Sequence, residues 1–222
     1  MEQSLHDSLD GSHTVFSNKY NAHYHSIYGA LDESIHVFIS AGFFYFYRRN
    51  RTPISILEMG FGTGLNAYLS LLESDRFKVD INYVTLEADP ISPELARTLN
   101  YPTLLQCAHA QGFYRMHDCA WEKPILITNE FNFQKRKCLI QDFSSDQKFD
   151  LIYFDAFAPS CQSHLWELEL HQKLYLMLTA GGALVTYCTQ GQFKRNLKSI
   201  GYRLEILNGP GKKREMLRAI KA

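Results

Sequence analysis

The stretch that decides the fold is Ile54–Ser70, ISILEMGFGTGLNAYLS. It begins as an apolar run, reaches the acid Glu58, and then has glycines at alternate positions before a helical pattern of leucines. This order predicts a β-strand, a turn and an α-helix, an arrangement in which a nucleoside can lie against the backbone. The glycines are Gly60, Gly62 and Gly64, and each permits a positive φ or a close backbone approach that a Cβ would obstruct.

The spacing of these glycines separates two kinds of nucleoside site. A dinucleotide fingerprint requires G-x-G-x-x-G, with the helix N-terminus on a pyrophosphate. The spacing here is E-x-G-x-G-x-G, which resembles the first motif of class I methyltransferases, where S-adenosylmethionine lies over the turn. A glycine-rich turn in another kind of α/β protein is the alternative that this stretch leaves open.

Length and composition favour one cytoplasmic domain. The 222 residues suit a single α/β domain with a small appendage, and 45% apolar residues suffice for a core. The net charge is zero, so a polyanion would have to be bound by local basic patches. The five cysteines form no C-x-x-C pair, and no H-E-x-x-H spacing occurs, so we expect no disulfide framework and no metal. The polar N-terminus is no secretory signal, and no apolar run approaches the roughly 18 residues of a membrane span.

The remaining pattern predicts an α/β fold of the class I S-adenosylmethionine-dependent methyltransferase type. This is a Rossmann-like, seven-stranded sheet with an antiparallel last strand, preceded by a small N-terminal hairpin and helix. A soft boundary near residue 50 divides an extension (1–50), packed on the core, from the methyltransferase domain (51–222). The pattern also predicts four local features: a helix capped by Ser34, a single helix over Pro102–Trp121, a basic turn at Gln134–Lys137 before a strand at Cys138–Gln141, and a helix ended by Ala180–Gly182.

Three acids follow predicted strands. Glu87 ends the second strand, where a carboxylate can accept both ribose hydroxyl protons. Asp142 stands where methyltransferases often place a contact to adenine, with a helix cap as the equal alternative. Asp155 ends the buried strand KFDLIYFD, and ligands of such sheets lie outside the carboxyl ends of the strands. Asp155 is therefore expected at the mouth of the site, beside the methyl donor, with a helix cap or a solvated acid in a turn as the alternative.

Several stretches together resemble one family. They are DGSHT, HYHSIYGALDESIHVFI, LEMGFGTGLNA, LEADP, FDLIYFDAFAPS, GGALVTYCTQGQFKRNLKSIGY and GPGKKREML. The chain, from about Asp10 onwards, resembles the tRNA 5-aminomethyl-2-thiouridine methyltransferases. These are stand-alone relatives of the N-terminal half of the bifunctional wobble-uridine modification enzyme.

The resemblance implies methyl transfer from S-adenosylmethionine to the exocyclic amine of 5-aminomethyl-2-thiouridine at the tRNA wobble position. It implies that Asp155 holds the amine and that the cofactor is held by Glu58, Gly60, Gly62, Glu87 and Asp142. The oxidase half of the bifunctional relatives has no counterpart here, so FAD is not expected. The segment Ser160–His164 departs from the family pattern, which usually has a Lys and a Pro after the Ala-Pro.

A tRNA partner would be bound by local groups. Tyr24, His25 and Tyr28 are candidates to stack on or line a flipped base, although such residues equally cover the edge of a core. The candidate phosphate contacts are Lys194, Arg195, Lys198, Lys212, Lys213 and Arg214, with Arg48, Arg49, Arg51, Lys135, Arg136 and Lys137 as a second set. For any single one, a solvated surface position is the simpler interpretation.

Two other classes of function stay open. One is an enzyme of the same fold that acts on small amines, either by methyl transfer or as a polyamine synthase that transfers an aminopropyl group. The other is a module that only docks tRNA. Asp155 at the mouth of the site argues against a pure binder, and zero net charge argues mildly against tRNA.

Overall fold

The computed structural model describes residues 3–49, 52–106, 109–211 and 213–222. Within them the strands form a three-stranded sheet and an eight-stranded sheet. The strands are β1 (Gln3–Asp7), β2 (His13–Ser17), β3 (Ala22–His23), β4 (Ile54–Met59), β5 (Ile81–Leu86), β6 (Ile125–Leu126), β7 (Phe131–Arg136), β8 (Phe149–Phe154), β9 (Leu178–Thr186), β10 (Tyr202–Asn208) and β11 (Glu215–Lys221).

Helices connect most strands of the larger sheet. The α-helices are α1 (Ala30–Ser34), α2 (Phe44–Tyr47), α3 (Leu65–Phe77), α4 (Pro93–Thr98), α5 (Tyr101–Leu104), α6 (Ala110–Asp118), α7 (Leu168–Met177) and α8 (Gly191–Ile200). A π-helical segment (Ile35–Phe43) joins α1 to α2, and a 3₁₀ turn (Ser163–Trp166) precedes α7.

The larger sheet has the order β10-β11-β9-β8-β4-β5-β7-β6. Strands β7, β5, β4, β8 and β9 are parallel neighbours, and β11 runs antiparallel between β9 and β10. This confirms the predicted Rossmann-like sheet with its reversed last strand. The two-residue β6 adds an eighth strand, antiparallel to β7, at the edge. The parallel arrangement brings the carboxyl ends of β4, β5 and β8 to one edge, where a ligand is expected.

Alternate side chains of the sheet enter two apolar layers, as the two-residue period of strands requires. Ile56, Tyr83 and Tyr153 pack with the N-terminal helices, α3 and α6 on one face. Leu57 and Ile152 pack with α7 and α8 on the other face. The sheet is thus buried on both sides, which explains the nearly continuous apolar run of β8.

The N-terminal residues form more than the predicted hairpin. Strand β2 pairs antiparallel with β1 and with β3, and one continuous helical stretch then runs from α1 through the π-helical segment to α2. Ser34 is buried inside this stretch and Gly29 precedes its first turn, so the predicted cap at Ser34 is wrong. A Cβ on Gly42 would lie 2.9 Å from the Tyr153 ring, so the helix approaches the sheet closely.

Three other local predictions are wrong. The expected basic turn is part of β7, which ends at Arg136, and Cys138–Gln141 forms no strand. The predicted helix Pro102–Trp121 is two helices, α5 and α6. The segment Ala180–Gly182 lies within β9, because α7 ends at Met177 and Leu178 turns to an extended conformation. Tertiary pairing overrides local propensity at these positions.

Candidate active site

A cavity of about 280 Å³ lies at the carboxyl ends of β4, β5 and β8. The glycine-rich turn forms its floor, and aromatic side chains of the N-terminal segment cover it. Its lining residues are Tyr20, Tyr24, His25, Met59, Gly60, Phe61, Gly62, Leu86, Glu87, Ala88, Cys138, Leu139, Ile140, Gln141, Asp155, Ala156, Phe157, Gln162, His164 and Leu165.

The glycines are required by close approaches of backbone and ring. Gly60 has a φ of 90°, and a Cβ there would lie 2.8 Å from the carbonyl oxygen of Asp155. Gly62 has a φ of 50°, and a Cβ there would lie 2.7 Å from the ring of Tyr24. Gly64 precedes α3 in the left-handed conformation, against His117. The glycines therefore let backbone and rings pack closely around the turn, where a Cβ of any other residue type would clash.

Glu87 fixes this turn from the neighbouring strand. One carboxylate oxygen accepts the N–H of Gly62 at 2.9 Å, and the other accepts the N–H of Asp89 at 2.8 Å. Burial raises the pKa of Glu87, although these backbone bonds oppose the rise. The carboxylate lines the cavity at the tip of β5, where its remaining lone pairs can accept ribose hydroxyls.

Asp155 lies directly beyond β8 in the cavity wall. The Asn66 amide of α3 donates to its Oδ2 at 2.8 Å. Burial, helped by the negative charge of Glu33, raises the pKa of Asp155 to about 7, while Asn66 and Lys213 lower it. A carboxyl group with this pKa exchanges its proton near neutrality, as groups in catalytic sites often do.

A second carboxylate lies close to Asp155. Glu33 of α1 is 7% exposed, accepts the N–H of Ser26 at 2.9 Å and forms an ion pair with the ammonium of Lys213. The Lys213 Nζ also lies 3.9 Å from the centroid of the Tyr187 ring. The Tyr187 hydroxyl donates to the carbonyl of Ala156, next to Asp155, at 2.7 Å.

A second cavity, of about 330 Å³, adjoins this group. It is lined by His23, His25, Ser26, Ile27, Tyr28, Pro210 and Lys213. His25 lines both cavities, so the two lie on either side of it.

Glu58 lies beneath the turn rather than in the cavity wall. It is fully buried, and neither carboxylate oxygen has a hydrogen-bond partner. Burial raises the pKa of Glu58 well above its ordinary value, with Thr85, Tyr83 and Asn66 acting in the opposite direction. Its predicted direct contact with a cofactor therefore gains no support from this geometry, in contrast to Gly60, Gly62 and Glu87.

The three candidate stacking residues lie in different surroundings. Tyr24 lines the main cavity, with its ring edge-on to Phe157 at 5.2 Å. His25 is buried, its Nε2 is 2.7 Å from the hydroxyl of Thr63, and burial lowers its pKa to about 4, so it is neutral at pH 7. Tyr28 is 47% exposed and lines the second cavity.

The candidate phosphate contacts are only partly free for solvent. Arg195, Lys198 and Arg214 are exposed, and Lys194 lies 3.8 Å from Glu215. Lys213 is engaged with Glu33, whereas Lys212 and Arg51 lie outside the described residues. Lys135 is a poor candidate, because it is 2% exposed and donates to the carbonyl of His117. Asp142 is exposed and lies outside the cavity wall, which gives no support to the predicted adenine contact.

Sequence reasoning missed Asn66 and Glu33. Asn66 could have been noticed as a polar side chain in the first turn of the helix that follows the glycines. Glu33 had no such signal, because only the folding of α1 against the β10–β11 connection brings it to Lys213. The apolar wall of Leu139 and Ile140 was misread as part of a strand.

Two kinds of feature are absent from the described parts of the chain. No three His, Cys, Asp or Glu side chains among them lie together as a metal site would need. None of the helices described has the length and apolar character needed to cross a bilayer.

Comparison with known proteins shows which protein family this chain resembles. Residues 130–222 match the family described as S-adenosyl-L-methionine-dependent methyltransferase. Over these residues the chain is similar to the S-adenosylmethionine-dependent methyltransferases. The predictions of a methyltransferase and of its cofactor are thereby confirmed. The cavity lined by Gly60 and Gly62, with the acid Glu87 at the tip of β5, suits the nucleoside part of that cofactor.

The methyltransferase is similar to larger curated proteins. It is 29% identical, over 92% of its own length, to the tRNA 5-methylaminomethyl-2-thiouridine biosynthesis bifunctional protein MnmC of Leptospira borgpetersenii. It is 28% identical, over 97% of its length, to the protein of the same name from Azoarcus. The chain covers 33% and 35% of these relatives, so it spans about a third of their length.

Solved structures agree on the fold. The structure of MNMC2 from Aquifex aeolicus matches 98% of the methyltransferase with a TM-score of 0.78 at 21% identity, and 69% of that chain is covered. Spermidine synthase from Thermotoga maritima matches 99% with a TM-score of 0.62 at 16% identity, again with 69% of that chain covered.

Proposed function

We propose that this protein transfers a methyl group from S-adenosylmethionine to the exocyclic amine of 5-aminomethyl-2-thiouridine at the tRNA wobble position. The product is 5-methylaminomethyl-2-thiouridine, the nucleoside in the name of the curated relatives. The observation that carries the proposal is Asp155, a carboxyl group in the wall of the donor cavity and close to the cation-binding group of Glu33 and Tyr187. A cytoplasmic location, where tRNA is available, belongs to the same proposal.

The reaction needs a donor and a neutral amine in line. When bound, S-adenosylmethionine would supply a methyl group carried by a sulfonium sulfur, and this sulfur would leave as the thioether of S-adenosylhomocysteine when the amine nitrogen takes the methyl carbon. The chain's contribution is mainly alignment, which can be worth roughly 7–11 kcal/mol. Gly60, Gly62 and Glu87 would hold the methyl donor. Asp155 would hold the amine by accepting hydrogen bonds from the N–H groups of the amine.

Asp155 serves orientation first and proton transfer second. A free alkylamine is mostly protonated near neutral pH, and a carboxylate stabilises that ammonium form. With a pKa of about 7, Asp155 can also accept the proton, directly or through water. The bond from Asn66 fixes the direction in which its carboxyl group faces.

The tRNA would be held by local groups around the second cavity. Tyr28 and the wall of this cavity offer a place for the flipped nucleoside, and Tyr24 closes the donor cavity beside it. The exposed cations Arg195, Lys198 and Arg214 are the candidate phosphate contacts. Lys194 and Lys213 would have to leave their acidic partners, Glu215 and Glu33, before they could contact a phosphate. The phosphate contact of Lys212 stays a prediction.

The first test is an assay with labelled S-adenosylmethionine and tRNA that carries 5-aminomethyl-2-thiouridine. We expect label in 5-methylaminomethyl-2-thiouridine after nucleoside analysis. Asp155→Ala should still bind the cofactor but lose methyl transfer by about 100-fold or more. Near-normal turnover by this variant would contradict the role of Asp155. Label only in free amines would indicate a small-molecule enzyme, and tRNA binding without any transfer would indicate a docking module.

A further inference from the structure

A lysine of the chain already shows how this site binds an alkylammonium ion. The Lys213 ammonium is held by the carboxylate of Glu33 and by the face of Tyr187, with its Nζ 3.9 Å from the ring centroid. A carboxylate and an aromatic face both stabilise a partly desolvated alkylammonium ion. We call Glu33 and the ring of Tyr187 the ammonium seat.

The ammonium seat is built from fixed parts. Glu33 is 7% exposed and is oriented by the N–H of Ser26. Tyr187 is oriented by its bond to the carbonyl of Ala156. Both belong to the packed body of the protein. The seat also lies close enough to Asp155 for Glu33 and Lys213 to act on that carboxyl group electrostatically.

Lys213, in contrast, reaches the seat from the surface. It belongs to the connection between β10 and β11, and its side chain is 40% exposed. Its own ammonium has the same chemistry as the aminomethyl group of the proposed acceptor, since both are primary alkylammonium ions. Lys213 also lines the second cavity, from which an acceptor nucleoside would approach.

We infer that Glu33 and the ring of Tyr187 bind the amino group of the acceptor, and that Lys213 occupies this place until the acceptor displaces it. The inference rests on the proposed function, because it takes a primary amine on tRNA as the acceptor. It assigns to Glu33 and Tyr187 the recognition of the amine, beside Asp155. The displaced Lys213 becomes available for a phosphate of the same tRNA.

The test isolates the contribution of the amine to binding. Two forms of one tRNA are compared, with 5-aminomethyl-2-thiouridine or with 2-thiouridine at the wobble position, in saturating S-adenosylhomocysteine. The ratio of the two dissociation constants measures the contribution of the amine to binding. Contacts to phosphates are the same in both forms of the tRNA and cancel in the ratio. The variants are Glu33→Gln, which keeps an oxygen for the Ser26 N–H, and Lys213→Met, which keeps the apolar stem. The matched controls, at the opposite edge of the sheet, are Glu130→Gln and Lys78→Met.

We expect the wild type to bind the amine-bearing tRNA at least tenfold more tightly. Glu33→Gln should lower the ratio severalfold, with Asp155 retaining the rest, Lys213→Met should keep or increase it, and the controls should not change it. A ratio preserved in Glu33→Gln, or abolished in Lys213→Met, overturns the inference. The inference is also overturned if the wild-type protein methylates the tRNA but binds the two forms of the tRNA equally tightly. A wild type that transfers no methyl group to this tRNA contradicts the proposed function itself.

Discussion

At the scale of single residues, Gly60 and Asp155 depend on each other. The turn at Gly60 lies against the backbone of Asp155, so the residue that shapes the donor cavity also touches the residue proposed to hold the acceptor. A Cβ at position 60 would press on a backbone carbonyl oxygen directly beyond β8. The proposed positions of methyl donor and acceptor are therefore joined through the backbone contact of Gly60 with Asp155.

Gly60→Ala tests this coupling. We expect it to weaken cofactor binding at least tenfold and to lower the free energy of unfolding by about 3 kcal/mol, from the positive φ and the clash together. The matched control is Gly11→Ala, which has a φ of 81° but open space around the new methyl group. It should cost only about 1 kcal/mol and leave cofactor binding unchanged. Calorimetric titration and urea unfolding measure both effects, and equal losses in the two variants would contradict the prediction.

The raised pKa of Asp155 predicts a pH dependence of stability. The folded chain holds this proton up to a pKa of about 7, whereas the unfolded chain releases it near 3.8. Between these values the folded state binds more protons, so its stability falls as the pH rises.

Asp155→Asn removes this dependence of stability on pH. We expect the variant to gain on the order of 2–4 kcal/mol over wild type above about pH 8, but little near about pH 4. Urea unfolding at several pH values measures the difference, in which Glu87 cancels, whereas Glu58 contributes only through the loss of its repulsion by Asp155. Parallel curves would contradict the prediction.

At the scale of elements, Lys135 joins a strand to a helix. It points inward from β7, and its ammonium donates to the carbonyl of His117 in the last turn of α6. A cation at a helix C-terminus is stabilising, and here it also satisfies a carbonyl that the helix leaves free. Burial lowers the pKa of Lys135, as expected for a charge removed from water.

Lys135→Ala should therefore act on stability rather than on tRNA binding. We expect the free energy of unfolding to fall by about 2–3 kcal/mol, because a charged hydrogen bond and the packing of the stem are lost. Lys137→Ala, two residues later and exposed, is the control and should change stability by no more than about 0.5 kcal/mol. If the Lys135→Ala variant instead keeps its stability but loses affinity for tRNA, Lys135 contacts a tRNA phosphate, as the sequence suggested.

At the scale of the whole molecule, the N-terminal residues are part of the core and of the site. Phe38 lies 5.2 Å from Tyr153 of the central sheet, measured between ring centroids, and Tyr20, Tyr24 and His25 line the donor cavity. The predicted division at residue 50 stays a proposal about domain organisation. The packing supports an extension that cannot be separated from the rest.

Truncation tests this dependence. Removal of residues 1–50 should abolish cooperative unfolding and cofactor binding, because it exposes the aromatic face of the sheet. Removal of residues 1–7 is the control, since β1 is largely exposed and pairs only with β2 among the described strands. That shorter variant should unfold cooperatively and bind the cofactor. A fragment of residues 51–222 that unfolds cooperatively would show that the extension is a separate unit.

The sequence by itself determined the strand, turn and helix around Gly60, Gly62 and Gly64, the Rossmann-like sheet with its reversed last strand, and the positions of Glu87 and Asp155 at the ends of their strands. These features follow from local spacing and from the rule that parallel strands end at one edge. Only the tertiary structure placed Lys135 in the core and Glu33 against Lys213, because burial and ion pairing join residues far apart in the chain. The glycine-rich stretch indicates the donor, whereas the proposed seat for an acceptor amine forms only once α1 packs beside the β10–β11 connection.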